Sequence, residues 1–255
     1  MLAMALTLIA AFFGVGCASA PPPETTAPST SASTGTTTKT LVGRVWHGRT
    51  PASKAEEYTR YLNDSGVKKI FAIEGNRGAQ LFRRIDGDVA EYFVISYWDT
   101  REAIKKFAGE DIEKTHNLPR DPEFLIDLEP RVRHFDVLFD SGQKGEPRVG
   151  RVWHGRTPAS KAEEYTRYSK EAGLAKMVAI DGNRGVQLFR RTDGDVAEYF
   201  VISYWDAREA IKEFAGDDIE KTHNLPRDPE FLIDLEPHVR HFDLIANQWH
   251  EPRSN

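Results

Sequence analysis

From residue 41 onward the apolar positions recur with two periods, one suited to strands and one to helices. Residues 41–47 (LVGRVWH) alternate in the strand manner, with Val45 and Trp46 on opposite faces. Thr50 is placed to cap a helix that begins at Pro51, and Ala55, Tyr58 and Leu62 mark its apolar stripe over 51–64. The periodicity lapses over 66–75, which reads as a loop, and the GNRG turn at 75–78 leads into a strand at 79–85. Asp86-Gly87-Asp88 reads as a hairpin turn into 89–98 (VAEYFVISYW), the most apolar run and so the central strand. Asp99-x-x-Glu102 has the spacing of a capping box, Ala103, Ile104 and Phe107 face a core, and Gly109 stops the helix. Residues 110–127 read as one or two short helices broken at Pro119, and Pro130 opens a last strand over 131–138. The predicted order is β-α-β-β-α-β, the ferredoxin-like split unit.

This pattern occurs twice. Residues 43–138 align with 150–245 without a gap, and 17 of the 96 positions differ. Nine of the differences fall between 62 and 74, as a variable loop would allow. The alternative is that the copies differ there because their ligands differ. A unit with helices on one sheet face leaves the other face bare, and tandem copies can cover each other's. The prediction is an α+β chain in which the apolar faces around 92–98 and 199–205 are buried between the copies, a covalent counterpart of a two-fold dimer. The copies span 41–138 and 150–245, joined by a polar linker at 139–149 and followed by a tail at 246–255.

Composition narrows the function classes. The chain has 255 residues, 40% hydrophobic and 29% charged, which excludes wholesale disorder and a multi-span membrane protein. The net charge of −5 argues against a nucleic-acid partner. A single cysteine excludes an intramolecular disulfide and a cysteine-based zinc site. Residues 1–20 carry no charge; 1–17 read as a signal segment and 18–40 as a Pro/Thr/Ser-rich tether. Cys17 follows Gly14-Val15-Gly16, a lipobox-like triplet, and Pro21 disfavours ordinary cleavage after Ala20. The expectation is a signal segment over 1–17 cut ahead of Cys17, the acceptor, giving an exported, envelope-anchored bacterial lipoprotein with lipid on Cys17. An uncleaved anchor helix is the alternative.

WHGRTP followed by a helix, GNRG before a strand ending in Arg-Arg, and SYWD-x-REAI-x-x-FAG together resemble the antibiotic biosynthesis monooxygenase-like domains of the dimeric α+β barrel superfamily. The resemblance covers both copies. It implies two ferredoxin-like βαββαβ repeats forming an intramolecular dimeric α+β barrel. It also implies a cofactor-independent monooxygenase acting on a small aromatic or polyketide-like molecule, in which hydrogen-bonding side chains stabilise a substrate carbanion that reacts directly with oxygen. Haem cleavage fits poorly: strand 1 lacks the Asn of haem-degrading relatives, Phe107 stands where they have Trp, and only His116 matches their His.

With strand order 4-1-3-2 and strands 1 and 3 taken as parallel, the end of strand 1 meets the end of strand 3 and the starts of strands 2 and 4. This gathers His47, Tyr97, Trp98, Asn76, Arg77, Arg133 and His134, and in the second copy His154, Tyr204, Trp205, Asn183, Arg184, Arg240 and His241. Alternation assigns Val45, His47, Tyr97, Val132 and His134 to the helix-covered face, and Trp46, Trp98 and Arg133 to the barrel side. The resemblance puts ligand between sheet and helices, so His47, Tyr97, His134, His154, Tyr204 and His241 are the candidate catalytic residues. Asn76, Trp98, His116, Asn183, Trp205 and His223 are candidates for substrate contact. No metal or cofactor is expected: two histidines on neighbouring strands lack a third ligand fixed by local spacing. Three readings stay open: an enzyme, an envelope module that binds a small hydrophobic ligand, and a structural scaffold in which the histidines only pack.

Overall fold

Each repeat supplies four strands and a thin layer of helices. The computed structural model describes residues 40–250. The first repeat runs β1 (Val42–Pro51), α1 (Ala55–Leu62), α2 (Lys68–Phe71), β2 (Asn76–Asp86), β3 (Val89–Trp98), α3 (Arg101–Ala108), α4 (Asp121–Phe124) and β4 (Arg133–Asp140). The second runs β5 (Val149–Pro158), α5 (Ala162–Ser169), α6 (Ala175–Val178), β6 (Asn183–Asp193), β7 (Val196–Trp205), α7 (Lys212–Ala215), α8 (Asp228–Phe231) and β8 (Arg240–Trp249). The signal segment, Cys17 and most of the tether lie outside the described residues. Among the described residues no helix is long and apolar enough to cross a membrane.

The strands close into a barrel in the order β1-β3-β2-β8-β5-β7-β6-β4. The predicted 4-1-3-2 order holds within each repeat, but β1 runs antiparallel to β3. A crossover helix joins β1 to β2 and makes them co-directional, with β3 inserted between them in the opposite sense. The repeats also do more than stack faces. β2 pairs with β8 and β4 with β6, so each sheet's free edges are hydrogen-bonded by the other repeat. Register slips at Leu138 on β4 and at Ile245 on β8, and these bulges bend the strands where the barrel must curve. β8 continues to Trp249 because β2 offers it an edge, so residues 246–249 are strand, not tail.

The core has an inner and an outer shell. Phe82, Ile95, Tyr97 and Phe135 meet Phe189, Ile202, Tyr204 and Phe242 inside the barrel. Leu81, Tyr92, Val94 and Trp98 point outward and pack under Tyr58, Leu62, Val67 and Ile104. Burying a side chain of this size contributes about 1.5–3 kcal/mol. Gly150 permits the inner contact, because a Cβ there would sit 2.7 Å from the ring of Phe82.

Local differences from the sequence reading have local causes. Thr50 does not cap a helix; its hydroxyl donates to the Phe124 carbonyl at 2.8 Å and ties β1 to α4. The cap of α3 is Thr100, whose oxygen accepts from the Ala103 amide at 3.1 Å. Asp99 instead accepts two bonds from Arg77, at 2.7 and 2.6 Å. The second repeat has Ala207 in place of Thr100, and its first turn tightens into a 3-10 helix, Arg208–Ile211. Residues 66–71 are helical rather than loop: a π turn, Asn63–Val67, joins α1 to α2 and buries Val67, with Ile70 buried one turn later. The variable stretch is thus a packed wall in which Val67 becomes Leu174 and Ile70 becomes Met177.

Candidate functional site

One end of the barrel opens into a cavity of about 450 Å³ walled by both repeats. Alternation along β1 turns Val45 and His47 inward, and β3 turns Phe93 inward opposite His47, with ring centroids 4.9 Å apart. Arg133 and Phe135 of β4 and Glu129 from the segment before it complete one half. Val152, His154, Phe200, Glu236 and Arg240 repeat these positions across the pseudo-two-fold. The floor is apolar and the rim is charged.

Each rim histidine sits between two carboxylates. His47 Nδ1 lies 2.5 Å from Glu129 Oε1, and its Nε2 lies 3.0 Å from Glu91 Oε1. His154 matches this with Glu236 at 2.5 Å and Glu198 at 3.1 Å. Arginines cross between the repeats: Arg240 donates to Glu91 at 2.9 Å and Arg133 to Glu198 at 2.8 Å. Burial opposes the charge on both imidazoles, but the hydrogen bonds they donate to the flanking carboxylates outweigh it and hold both histidines above their ordinary pKa. Burial likewise works against charge on Glu91, and His47 and Arg240 overcome it, so this carboxyl titrates below the usual range. The mouth therefore presents two favoured imidazoliums and two half-exposed carboxylates, Glu129 and Glu236, around an apolar floor. Both ring nitrogens of each histidine are engaged by carboxylates, so a ligand meets the more exposed Glu129 and Glu236 first, and an imidazole N–H becomes available only where one of these carboxylates lets go. Glu91, Glu129 and their equivalents were missed by the sequence reading; in sequence Glu129 carries only its place before Pro130, at the opening of a strand.

Solved structures share this architecture. A candidate monooxygenase from Fusobacterium nucleatum matches with TM-score 0.59 at 11% identity, over 83% of this chain and 95% of its own. An anthrone oxidase-like protein matches with TM-score 0.54 at 15% identity, over 83% and 93%. A candidate monooxygenase from Lactobacillus acidophilus gives 0.54 at 14%, over 82% and 96%. The fold is the dimeric α+β barrel. No protein-family model and no curated protein matches the chain. Likeness at such identities speaks to fold, and chemistry has to be argued from the site.

Within this dimeric α+β barrel the predicted faces of β1 and β3 are exchanged: Val45, His47 and Tyr97 are on the barrel side, and Trp46 and Trp98 lie under the helices. On β4 the prediction holds for Arg133, which is toward the barrel, and for His134, which lies under the helices. The predicted triad is also split. Tyr97 is four residues beyond Phe93, about 13 Å deeper at strand rise. There Tyr97 and Tyr204 hydroxyls lie 2.6–2.9 Å from the side-chain oxygens of Gln80 and Gln187, a fully buried plug across the barrel centre. Burial holds both phenols well above their ordinary pKa, so they remain protonated. Asn76 and Trp98, with Asn183 and Trp205, pair at the far end of the strands from His47. The cause is the antiparallel β1–β3 pairing, which sends the ends of these strands to opposite rims.

The helix-side clefts where the resemblance implied a ligand are narrow. One of about 30 Å³ is lined by Arg44, Trp46, Phe107 and His116, and its counterpart of about 50 Å³ by Arg151, Trp153, Phe214 and His223. His116 and His223 lean on Phe107 and Phe214 with centroids 4.7 Å apart. Burial lowers the pKa of His223. Among the described residues no three His, Cys, Asp or Glu are grouped to hold a metal ion.

Proposed function

We propose that the barrel mouth takes a small aromatic or polyketide-like molecule and oxidises it without a cofactor, as the fold's monooxygenase-like members suggest. The observation that carries this reading is the 450 Å³ cavity with His47 and His154 on its rim, within the usual range for small-molecule sites. In this reading the apolar floor holds the ring system. Glu129 or Glu236 accepts the proton from an acidic CH₂, which weakens its bond to the adjacent histidine, and the Nδ1–H so released donates to the developing oxyanion. The carbanion then reacts with O₂; one oxygen atom enters the product as a carbonyl and the other leaves as water. Replacing His47 and His154 together by Ala is expected to abolish oxygen uptake and ligand binding while the thermal melt stays within a few degrees. An unchanged assay with a lowered melting temperature would make the histidines structural.

A binding module without chemistry is the second reading, favoured by the fact that each mouth carboxylate already has a cationic partner. Ligand binding with no oxygen consumption would select it. In both readings the protein is exported and held at the cell envelope by lipid on Cys17. Cys17→Ser is expected to abolish acyl labelling and release the protein from membranes; a variant that stays membrane-bound would favour an uncleaved anchor.

A further inference from the structure

A second polar cluster lies on the outer side of the barrel, under the helices, apart from the mouth. Arg44 of β1 and His134 of β4 are cross-strand neighbours, only 4% and 6% exposed. The segment carrying Thr115, itself 6% exposed, crosses over them: Arg44 Nη2 donates to the Lys114 carbonyl at 3.2 Å, and the Val132 amide donates to the Glu113 carbonyl at 2.8 Å. Arg44 Nε, Thr115 Oγ1 and both ring nitrogens of His134 have no hydrogen-bond partner among the described residues. Among the described residues Arg44 forms no ion pair, and burial brings its pKa down to about 10. Burial and Arg44 together bring His134 down to about 4. A buried cation without a counter-ion is unfavourable, and so is a buried donor without an acceptor.

The second repeat shows what fits against such a cluster. Arg151, Thr222 and His241 recur there, equally buried. Glu220 Oε1 lies 3.0 Å from His241 Nδ1 and its charge also acts on Arg151, while Arg151 Nε, Thr222 Oγ1 and His241 Nε2 have no hydrogen-bond partner among the described residues. The equivalent residue of the first repeat, Glu113, accepts instead from Arg131 Nη2 at 3.0 Å. Residue 131 is among the positions where the repeats differ. The second repeat has His238 there, so no arginine draws Glu220 away.

We propose that Arg44, His134 and Thr115 form a binding site for a small carboxylate in the first repeat, and that in the second the Glu220 carboxylate already takes the imidazole end of the matching site. One exchange, Arg131 for His238, decides which repeat keeps its imidazole free. Arg44 also lines the narrow helix-side cleft, and its guanidinium stands 5.3 Å from the centre of the Phe107 ring. A cleft of about 30 Å³ limits the body behind the carboxylate to a few atoms, so the ligand is of acetate size.

The test is an acetate titration of the chain labelled with ¹⁵N-histidine, at constant ionic strength with chloride as the balancing anion. The imidazole resonances of His134 should shift saturably with one equivalent of acetate, and those of His241 should not. Arg131→His frees Glu113 to turn inward and should weaken the His134 response at least tenfold; the second repeat already folds with histidine at that position. His238→Arg should draw Glu220 outward and produce a second saturable response at His241, raising the stoichiometry from one to two. The proposal is overturned if His134 shows no saturable shift in the parent chain. It is equally overturned if Arg131→His keeps the parent affinity, or if His238→Arg leaves His241 silent.

Discussion

At the barrel mouth the two repeats match position by position: His47 with His154, Glu91 with Glu198, Glu129 with Glu236 and Arg133 with Arg240. The one exchange among the cavity's paired lining residues is Arg131 for His238. Under the helices the walls have drifted instead, with Leu62 against Ser169, Val67 against Leu174 and Ile70 against Met177. The mouth is assembled from both repeats: Arg240 holds Glu91, and Arg133 holds Glu198. A change in one repeat strands a charge in the other. Each helix layer packs chiefly on the strands of its own repeat, with Ala246 added to the first and Leu138 and Phe139 to the second, so a loss of volume at one position can be offset by a gain at its neighbour.

That contrast can be broken by experiment, and the largest expected effect lies in the helix layers. Trp98→Ala should cost about 3–5 kcal/mol by the cavity it leaves, and Trp205→Ala the same. If the layers are independent, urea unfolding of the double variant should give the sum of the two within about 0.5 kcal/mol. A clear departure from additivity would show that the layers are coupled.

Next comes pH, because the two regions titrate in opposite directions. His134 is held at about 4 when folded, against about 6.5 when unfolded, so the unfolded chain binds more protons between these values. Stability should fall as pH drops from about 6.5 to about 4, by about 3 kcal/mol in total from this group. His134→Asn should remove that part of the slope. His47 is raised when folded, so its contribution is fully present below about 6.5 and is lost as pH rises through the raised value. His47→Gln should therefore flatten the alkaline limb, and, because His47 also helps to lower the Glu91 carboxyl, it should reduce the part of the acid limb that Glu91 contributes.

A smaller effect is expected at the cross-repeat pairs. Glu91→Gln takes the shared acceptor from His47 and Arg240 and should cost about 1–2 kcal/mol, after allowance for the solvent that reaches Arg240. A double-mutant cycle with Arg240→Gln should show coupling between residues of different repeats; a coupling of zero would mean the mouth is not shared. The smallest effect is expected for Val67→Leu with Ile70→Met, which gives the first wall the buried residues of the second. It should change stability by no more than about 1 kcal/mol, read from the same urea curves.

Much of the fold was legible because it rests on short-range rules. The hairpin at Asp86-Gly87-Asp88 forms as predicted, with Gly87 at φ 55°. Gly109 ends α3 at φ 78°, and its amide bonds back to the Lys105 carbonyl at 2.9 Å. The candidate site was less legible. His47 and His154 were found from their strand-end positions, but their carboxylate partners lie 44 and 82 residues away along the chain. Tyr97 was grouped with His47 by a strand direction that the barrel reverses, whereas His134 runs in the predicted direction and is parted from His47 by facing the helices.

The sequence alone determined the duplication, the order of strands and helices within each copy, and the alternation that separates an inner from an outer face. These follow from turn chemistry and side-chain periodicity, which act over a few residues. Only the tertiary structure decided which face was which, that the sheet edges join into one barrel, and that Arg133 and Arg240 reach across it. Alternation is unchanged when the two faces are exchanged, so it cannot label them. The label comes from pairing β2 with β8 and β4 with β6, contacts between residues more than 45 positions apart whose partners no local pattern marks.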